Sequence, residues 1–220
     1  MNKELTIKKE EKMAKKEVIE LKPIDIKEIT LHIVGTTPLI CHKWDEKTRQ
    51  EMLDKQMGKA KTKKHDIKNP VRDFIESLYW LDGKPDEPTE EGFESAIANG
   101  ARFGFPTNGI KASVVSAGYR AGVMKDKVST HGAFHIDGEF IEIKGTPKMR
   151  EDMVRVGMGA ADIRFRGQFD EWEAFVTIKY NAGVLTAEQL VNLFQLGGFA
   201  VGIGEWRPEK GGQFGMYEVR

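Results

Sequence analysis

The order of predicted elements is that of an α+β domain: a ferredoxin-like split β-α-β core carrying large insertions. Two observations point there. Strands of period two lie near both ends of the chain, and a helix opened by a capping box runs through a glycine-rich stretch into a short last strand. With residues 41–107 and 123–150 set aside as insertions, what remains reads β, α, β, β, α, β.

The first strand covers residues 27–34. Ile29, Leu31 and Ile33 share one face and Glu28, Thr30 and His32 the other, before Gly35 and Pro38 end the run. A polar helix follows from Asp45, a candidate cap, to about Gln56. Residues 55–68 hold six lysines against one aspartate, a local excess of +5 with few apolar anchors, and read as a loop. Asn69-Pro70 opens another helix, running to Trp80. Helices are predicted over 89–102 and 108–119, the second capped by Asn108. Residues 133–136 and 139–143 read as a hairpin turned by Asp137-Gly138. Residues 153–156, 162–166 and 171–180 alternate as strands, with Trp172, Ala174, Val176, Ile178 and Tyr180 on one face. Thr186-Ala187-Glu188-Gln189 is the capping box, and Leu190, Leu193, Phe194 and Gly197 continue its helix.

The chain has 220 residues, 40% hydrophobic and 31% charged, which suffices for one core; residues 23–220 read as a single domain. Residues 1–22 mix Lys and Glu with scattered aliphatics. They read as a mobile N-terminal arm, either a solvated tail or a segment that reaches a neighbouring subunit. Lys plus Arg (34) equals Asp plus Glu (34), so no global basic excess marks a nucleic-acid partner, although a local one is possible. A single cysteine, Cys41, excludes an internal disulfide framework and any site of several thiolates. No apolar run nears the roughly 18 residues of a membrane span, and the charged N-terminus lacks a signal-peptide core. The expectation is a cytoplasmic protein without membrane contact.

Candidate chemistry centres on residues 197–215. Glycines there allow amides to face a phosphate or another backbone, Trp206 offers a stacking plane, and Arg207 and Lys210 offer charge. The loop is neither a phosphate-loop motif nor a dinucleotide fingerprint, because no helix follows it. The alternative is a loop packed on its own sheet with Trp206 as a lid. Arg155 lies on a strand, and Arg164 and Arg166 alternate with Ile163 and Phe165. Arginines two apart on a strand are separated by about 6.5–7 Å, comparable to successive phosphates. Ion pairing with Asp170, Glu171 or Glu173 is the alternative. Lys59, Lys61, Lys63 and Lys64 either fold over a bound strand or are simply solvated. Arg102 beside Phe103 and Phe105 could stack bases, although such phenylalanines usually belong to a core.

His131 and His135 are four apart but lie around a predicted hairpin, so the helical zinc pair does not apply, and Cys41-His42 has no partner spacing. No catalytic pair of carboxylates is recognisable. No metal, cofactor or enzymatic activity is expected.

The opening strand running into Val34-Gly35-Thr36-Thr37-Pro38-Leu39-Ile40, together with the loop at 197–215, resembles the RAMP superfamily of RRM-like proteins. Val201-Gly202-Ile203-Gly204-Glu205-Trp206-Arg207-Pro208-Glu209-Lys210 also resembles small phage-encoded proteins of unassigned function. The resemblance implies a ferredoxin/RRM-like fold and a self-associating protein, a homo-oligomer or filament, that coats single-stranded nucleic acid without catalysis. Single-stranded DNA in phage replication or recombination, in the host cytoplasm, comes first and RNA second. An RRM-like sheet carries its ligand opposite its helices, a face expected to present Arg164, Arg166 and Lys179. The competing expectation is a non-enzymatic protein–protein assembly or inhibitor module of phage origin.

Overall fold

The computed structural model describes residues 23–44, 46–59, 67–156 and 159–220. The N-terminal arm of residues 1–22, with Lys61, Lys63 and Lys64 of the lysine-rich loop, lies outside the described residues. The chain opens with β1 (Ile26–Gly35), β2 (Leu39–Cys41), α1 (Glu46–Gln56) and α2 (Pro70–Ser77). Next come β3 (Trp80–Asp82), α3 (Glu90–Ala98), β4 (Arg102–Pro106), α4 (Thr107–Arg120) and α5 (Lys127–Ala133). Then follow β5 (Phe134–Ile136), β6 (Phe140–Ile143), β7 (Pro147–Val156), β8 (Ala160–Phe169) and β9 (Glu173–Asn181). Helix α6 (Ala187–Ala200), a 3-10 turn at Pro208–Lys210 and β10 (Tyr217–Val219) close it.

Four strands form the central antiparallel sheet in the order β10-β1-β9-β5. In chain order these are its fourth, first, third and second strands, and α4 and α6 follow the first and third. That is the ferredoxin-like α+β arrangement. Its cause is the period-two pattern: Leu31 and Ile33 on β1 and Ala174, Val176, Ile178 and Tyr180 on β9 are buried beneath the helices. They join one core with Ile110 and Val114 of α4 and Leu190, Leu193 and Phe194 of α6. The capping box at Thr186 and Gln189 forms as the sequence predicts, with bonds of 3.1 and 2.9 Å. Gly197 lets α6 approach α4, since a Cβ there would sit 3.1 Å from the Val114 backbone.

The boundary of the second insertion differs from the sequence reading. Residues 134–136, set aside within 123–150, are the second core strand, and the β7–β8 pair lies in a separate sheet. The expected hairpin across Asp137-Gly138 is also absent: β5 pairs with β9, and β6 pairs with β4. Each strand joins the sheet that buries its apolar side chains. Phe134 is sealed against Phe194, ring centroids 5.9 Å apart, while Ile141 and Ile143 lie opposite Phe105 and Phe103. Helix α3 stops at Ala98 because Asn99 and Gly100 follow it, Gly100 in the left-handed region at φ 77°. Arg102 therefore starts a strand. Pro106, not Asn108, occupies the N-cap position of α4, and it makes no side-chain cap bond.

The inserted segments build two small antiparallel sheets, β3-β4-β6 and β2-β8-β7. Helix α2 packs on β8 at Gly167. A side chain there would strike Leu78, and its amide donates to the Ser77 hydroxyl at 2.8 Å.

Candidate nucleic-acid interface

Arg164 and Arg166 sit on β8, so they belong to the inserted sheet and not to the open face of the core. Across the hairpin Arg150 faces Arg166 and Asp152 faces Arg164. Arg150 donates to Asp152 and Gln168, each at 2.8 Å, and Arg166 donates to Asp152 at 3.2 Å. Arg166 is 3% exposed, with its second terminal nitrogen 4.0 Å from Glu205. The expectation that it meets a ligand is thus corrected. The glycine-rich loop lies over this end of the hairpin, bringing Glu205 to Arg166 and setting the Phe214 ring 4.7 Å from the Arg150 guanidinium. Burial leaves the two terminal nitrogens of the Arg166 guanidinium to carboxylates, while its buried Nε has no hydrogen-bond partner among the described residues. The partners are Asp152 and Glu205, not the acids expected at 170–173.

Beyond the loop the same face opens. Arg164, Lys43, Lys68, His42 and Trp44 line a groove of about 500 Å³ between the β2–α1 linker, α2 and β8. Trp44 is 65% exposed, and Lys43 has no ion-pair partner among the described residues. Asp162 receives Lys68 at 2.8 Å and Arg164 at 3.3 Å. The hydrogen bond from Lys68 is the main cause holding its carboxyl below the ordinary value. Three permanent cations, Lys43, Lys68 and Arg164, thus line the groove with two carboxylates, Asp73 and Asp162.

The glycine-rich loop has a different internal logic from a phosphate cradle. At Gly204 (φ 75°) a Cβ would collide with the Ile40 carbonyl, and at Gly215 (φ 66°) with the Ile203 carbonyl. These glycines let the loop pack on β2 and on itself. Trp206 adopts φ 53° and remains 39% exposed, so it is no buried lid. Arg207 is committed: Glu209 accepts from it at 2.8 and 3.1 Å, and the Gly204 carbonyl at 3.0 Å. Glu209 also accepts from Arg120 at 2.9 Å and Ser116 at 3.2 Å. Lys210 is exposed.

The remaining candidates scatter. Arg102 pairs with Asp82 (3.5 Å) and Glu142 (3.3 Å) on the other small sheet, with Phe103 and Phe105 in the core beside it. That corrects the stacking reading of this segment. Arg155 and Lys59 are exposed, Arg155 towards the hairpin tip. Lys179 does lie on the open face of the core, paired with Asp137 at 3.3 Å and Glu28 at 3.9 Å. Cys41 is buried, its thiol pushed up to about 12 by desolvation, which makes it a packing residue at neutral pH. No cluster of three or more metal-ligating side chains occurs among the described residues.

A second cleft, of about 390 Å³, adjoins the groove and shares His42 with it. It runs between α4 and the glycine-rich loop. Glu205 lies on its wall; His42, 3.8 Å away, is the main cause lowering its carboxyl pKa, with Arg166 and Arg207 adding to that.

Sequence reasoning missed Trp44, Lys43 and this cleft. The one available signal was an indole standing between a strand and a polar helix with no apolar neighbours in register.

No family model matches the sequence, and no curated protein matches it. Among solved structures, the crystal structure of Cmr6 from Pyrococcus furiosus is similar over 90% of this chain and 100% of that one. The TM-score is 0.42 and the identity 10%. Among the described residues no helix is long and apolar enough to cross a membrane.

Proposed function

We propose that this protein binds single-stranded nucleic acid along the groove of Lys43, Trp44, Lys68 and Arg164, as a non-enzymatic coating protein. The observation that carries the reading is the convergence of these residues. They come from three distant stretches of a chain with no net charge, yet they line one groove with an indole that has no ring partner among the described residues. The cations track phosphates, and Trp44 and Trp206 offer planes on which bases stack. Such contacts carry little base information, so sequence preference is weak. Single-stranded DNA is the first ligand and RNA the second, in the phage setting suggested by the wording of residues 201–210. Several copies then associate along one strand.

The test is fluorescence anisotropy with labelled oligo-dT and oligo-U across a salt series, with duplex as competitor. Binding that weakens steeply with salt and is poorly competed by duplex supports the reading. No binding to either strand at low salt overturns it. Mass photometry on a long single strand then counts the copies.

A further inference from the structure

The cleft beside the groove has a construction that the strand-tracking reading does not use. Small and apolar groups are part of its lining: Gly109 and Ala112 on α4, and Gly202 and Ile203 of the glycine-rich loop. The Tyr79 ring forms a wall, set edge-on to Phe105 at 6.0 Å. Its hydroxyl has no hydrogen-bond partner among the described residues, whereas the neighbouring Ser113 and Ser116 hydroxyls are used within the protein, on Tyr217 and Glu209. Burial pushes the Tyr79 phenol up, so it stays protonated at neutral pH. Lys127, His131 and His42 also line the cleft.

The charges inside select the occupant. Glu205 and Glu209 both line this cleft, and Arg207 lies against both; each carboxyl has a lowered pKa and is ionised at neutral pH. Arg207 is already bound to Glu209 and the Gly204 carbonyl, so it is not free to take an anion there. A flat neutral group with a polar edge fits this lining, and its anionic tether would find Lys127. A nucleotide is that object, and the volume falls within the range of small-ligand sites.

We infer that the cleft receives one splayed-out base of the bound strand, stacked against the Tyr79 wall, while the adjoining phosphates stay outside with Lys127. This rests on the nucleic-acid reading and deepens it. The shared residue His42 is the geometric link: a strand in the groove passes the mouth of the cleft, so one nucleotide can leave the run and enter.

Ala112 is exposed on α4 and lines the cleft, so Ala112→Trp fills the space while leaving the groove cations and Trp44 untouched. Two probes are compared, oligo-dT and an abasic strand of equal length. Ala112→Trp is expected to weaken oligo-dT binding about tenfold, the scale of one lost stacked base. Abasic binding and the salt slope stay unchanged. A strand of 5-iododeoxyuridine irradiated on the wild-type protein should crosslink to Tyr79, and Ala112→Trp should abolish that crosslink. Unchanged oligo-dT affinity in the variant, an equal loss with the abasic strand, or crosslinks confined to Trp44 and Trp206 overturn the inference. Wild-type protein that binds neither strand overturns the underlying nucleic-acid reading instead.

Discussion

Two surfaces of this protein pair an aromatic ring with cations, and they are built in opposite ways. On the open face of the core sheet, Phe175 of β9 stacks on His32 of β1, centroids 4.5 Å apart and planes 9° from parallel. Lys144 lies 4.8 Å over the same ring, and Glu173 ties His32 at 2.8 Å and Lys144 at 3.8 Å. Ring and charges are satisfied among themselves. In the groove Trp44 has no ring partner among the described residues, and Lys43 has no carboxylate. Residue type does not separate the two surfaces; unfilled valence does. On the open face, where an RRM-like sheet would place its ligand, ring and charges pair among themselves, and the β2–α1 linker beside the inserted sheet offers the vacant Trp44 and Lys43.

The comparison breaks first at Arg166. If the polar face of the hairpin is structural where the glycine-rich loop covers it, Arg166→Leu leaves Asp152 buried with Arg150 as its remaining cation. The cost should be about 3 kcal/mol, the low end for breaking a buried pair, because Arg150 still holds one oxygen. Urea denaturation measures it. A stable Arg166→Leu protein with weakened oligonucleotide binding would return Arg166 to the ligand surface.

Next comes stacking. Trp44→Ala and Trp206→Ala should each weaken oligo-dT binding by about 1–3 kcal/mol in anisotropy titrations. Phe175→Ala should change it by less than about 0.5 kcal/mol, because its ring is already occupied. The reverse ranking would move the site to the core sheet.

The core was legible because its signals are local. Alternation in residues 27–34 and 171–180 and the capping box at Thr186 each fix their element within a few residues. The error at residues 123–150 had a non-local cause. Asp137-Gly138 suits a tight turn, and nothing nearby says that Phe134 packs under α6 while Ile141 faces β4. The site failed for the same reason. Alternation places Arg164 and Arg166 on one face, but only the arrival of Glu205 from forty residues away buries one and leaves the other open.

Charge gives a smaller and sharper test. Replacing Lys43 and Arg164 together by Gln removes two candidate phosphate contacts. For a single strand the slope of log K against log salt should fall by about 1.4 in magnitude. Lys179→Gln on the open face should leave the slope alone, since two carboxylates, Asp137 and Glu28, hold that ammonium, whereas Lys43 has none and Arg164 shares Asp162 with Lys68. Equal slopes in all three proteins would mean that neither Lys43 nor Arg164 meets a phosphate.

The finest distinction lies in how each surface responds to acid. Glu205 joins the glycine-rich loop to His42 and Arg166, and these interactions lower its carboxyl pKa from an ordinary 4.5. A carboxyl whose folded pKa lies below its unfolded value stabilises the fold fully above the unfolded value, and loses that contribution as pH falls through the folded one. Glu205→Gln should therefore lower the melting temperature at pH 7. The gap from wild type should shrink as pH drops below about 4.5 and close once both proteins carry a neutral group there. Thermal melts of the two proteins between pH 7 and 3 measure this. A gap independent of pH would show that Glu205 holds the loop by shape alone. Its charge would then be free to act on a bound strand, and Glu205→Gln, by removing a negative charge beside the groove, would tighten binding instead of leaving it unchanged.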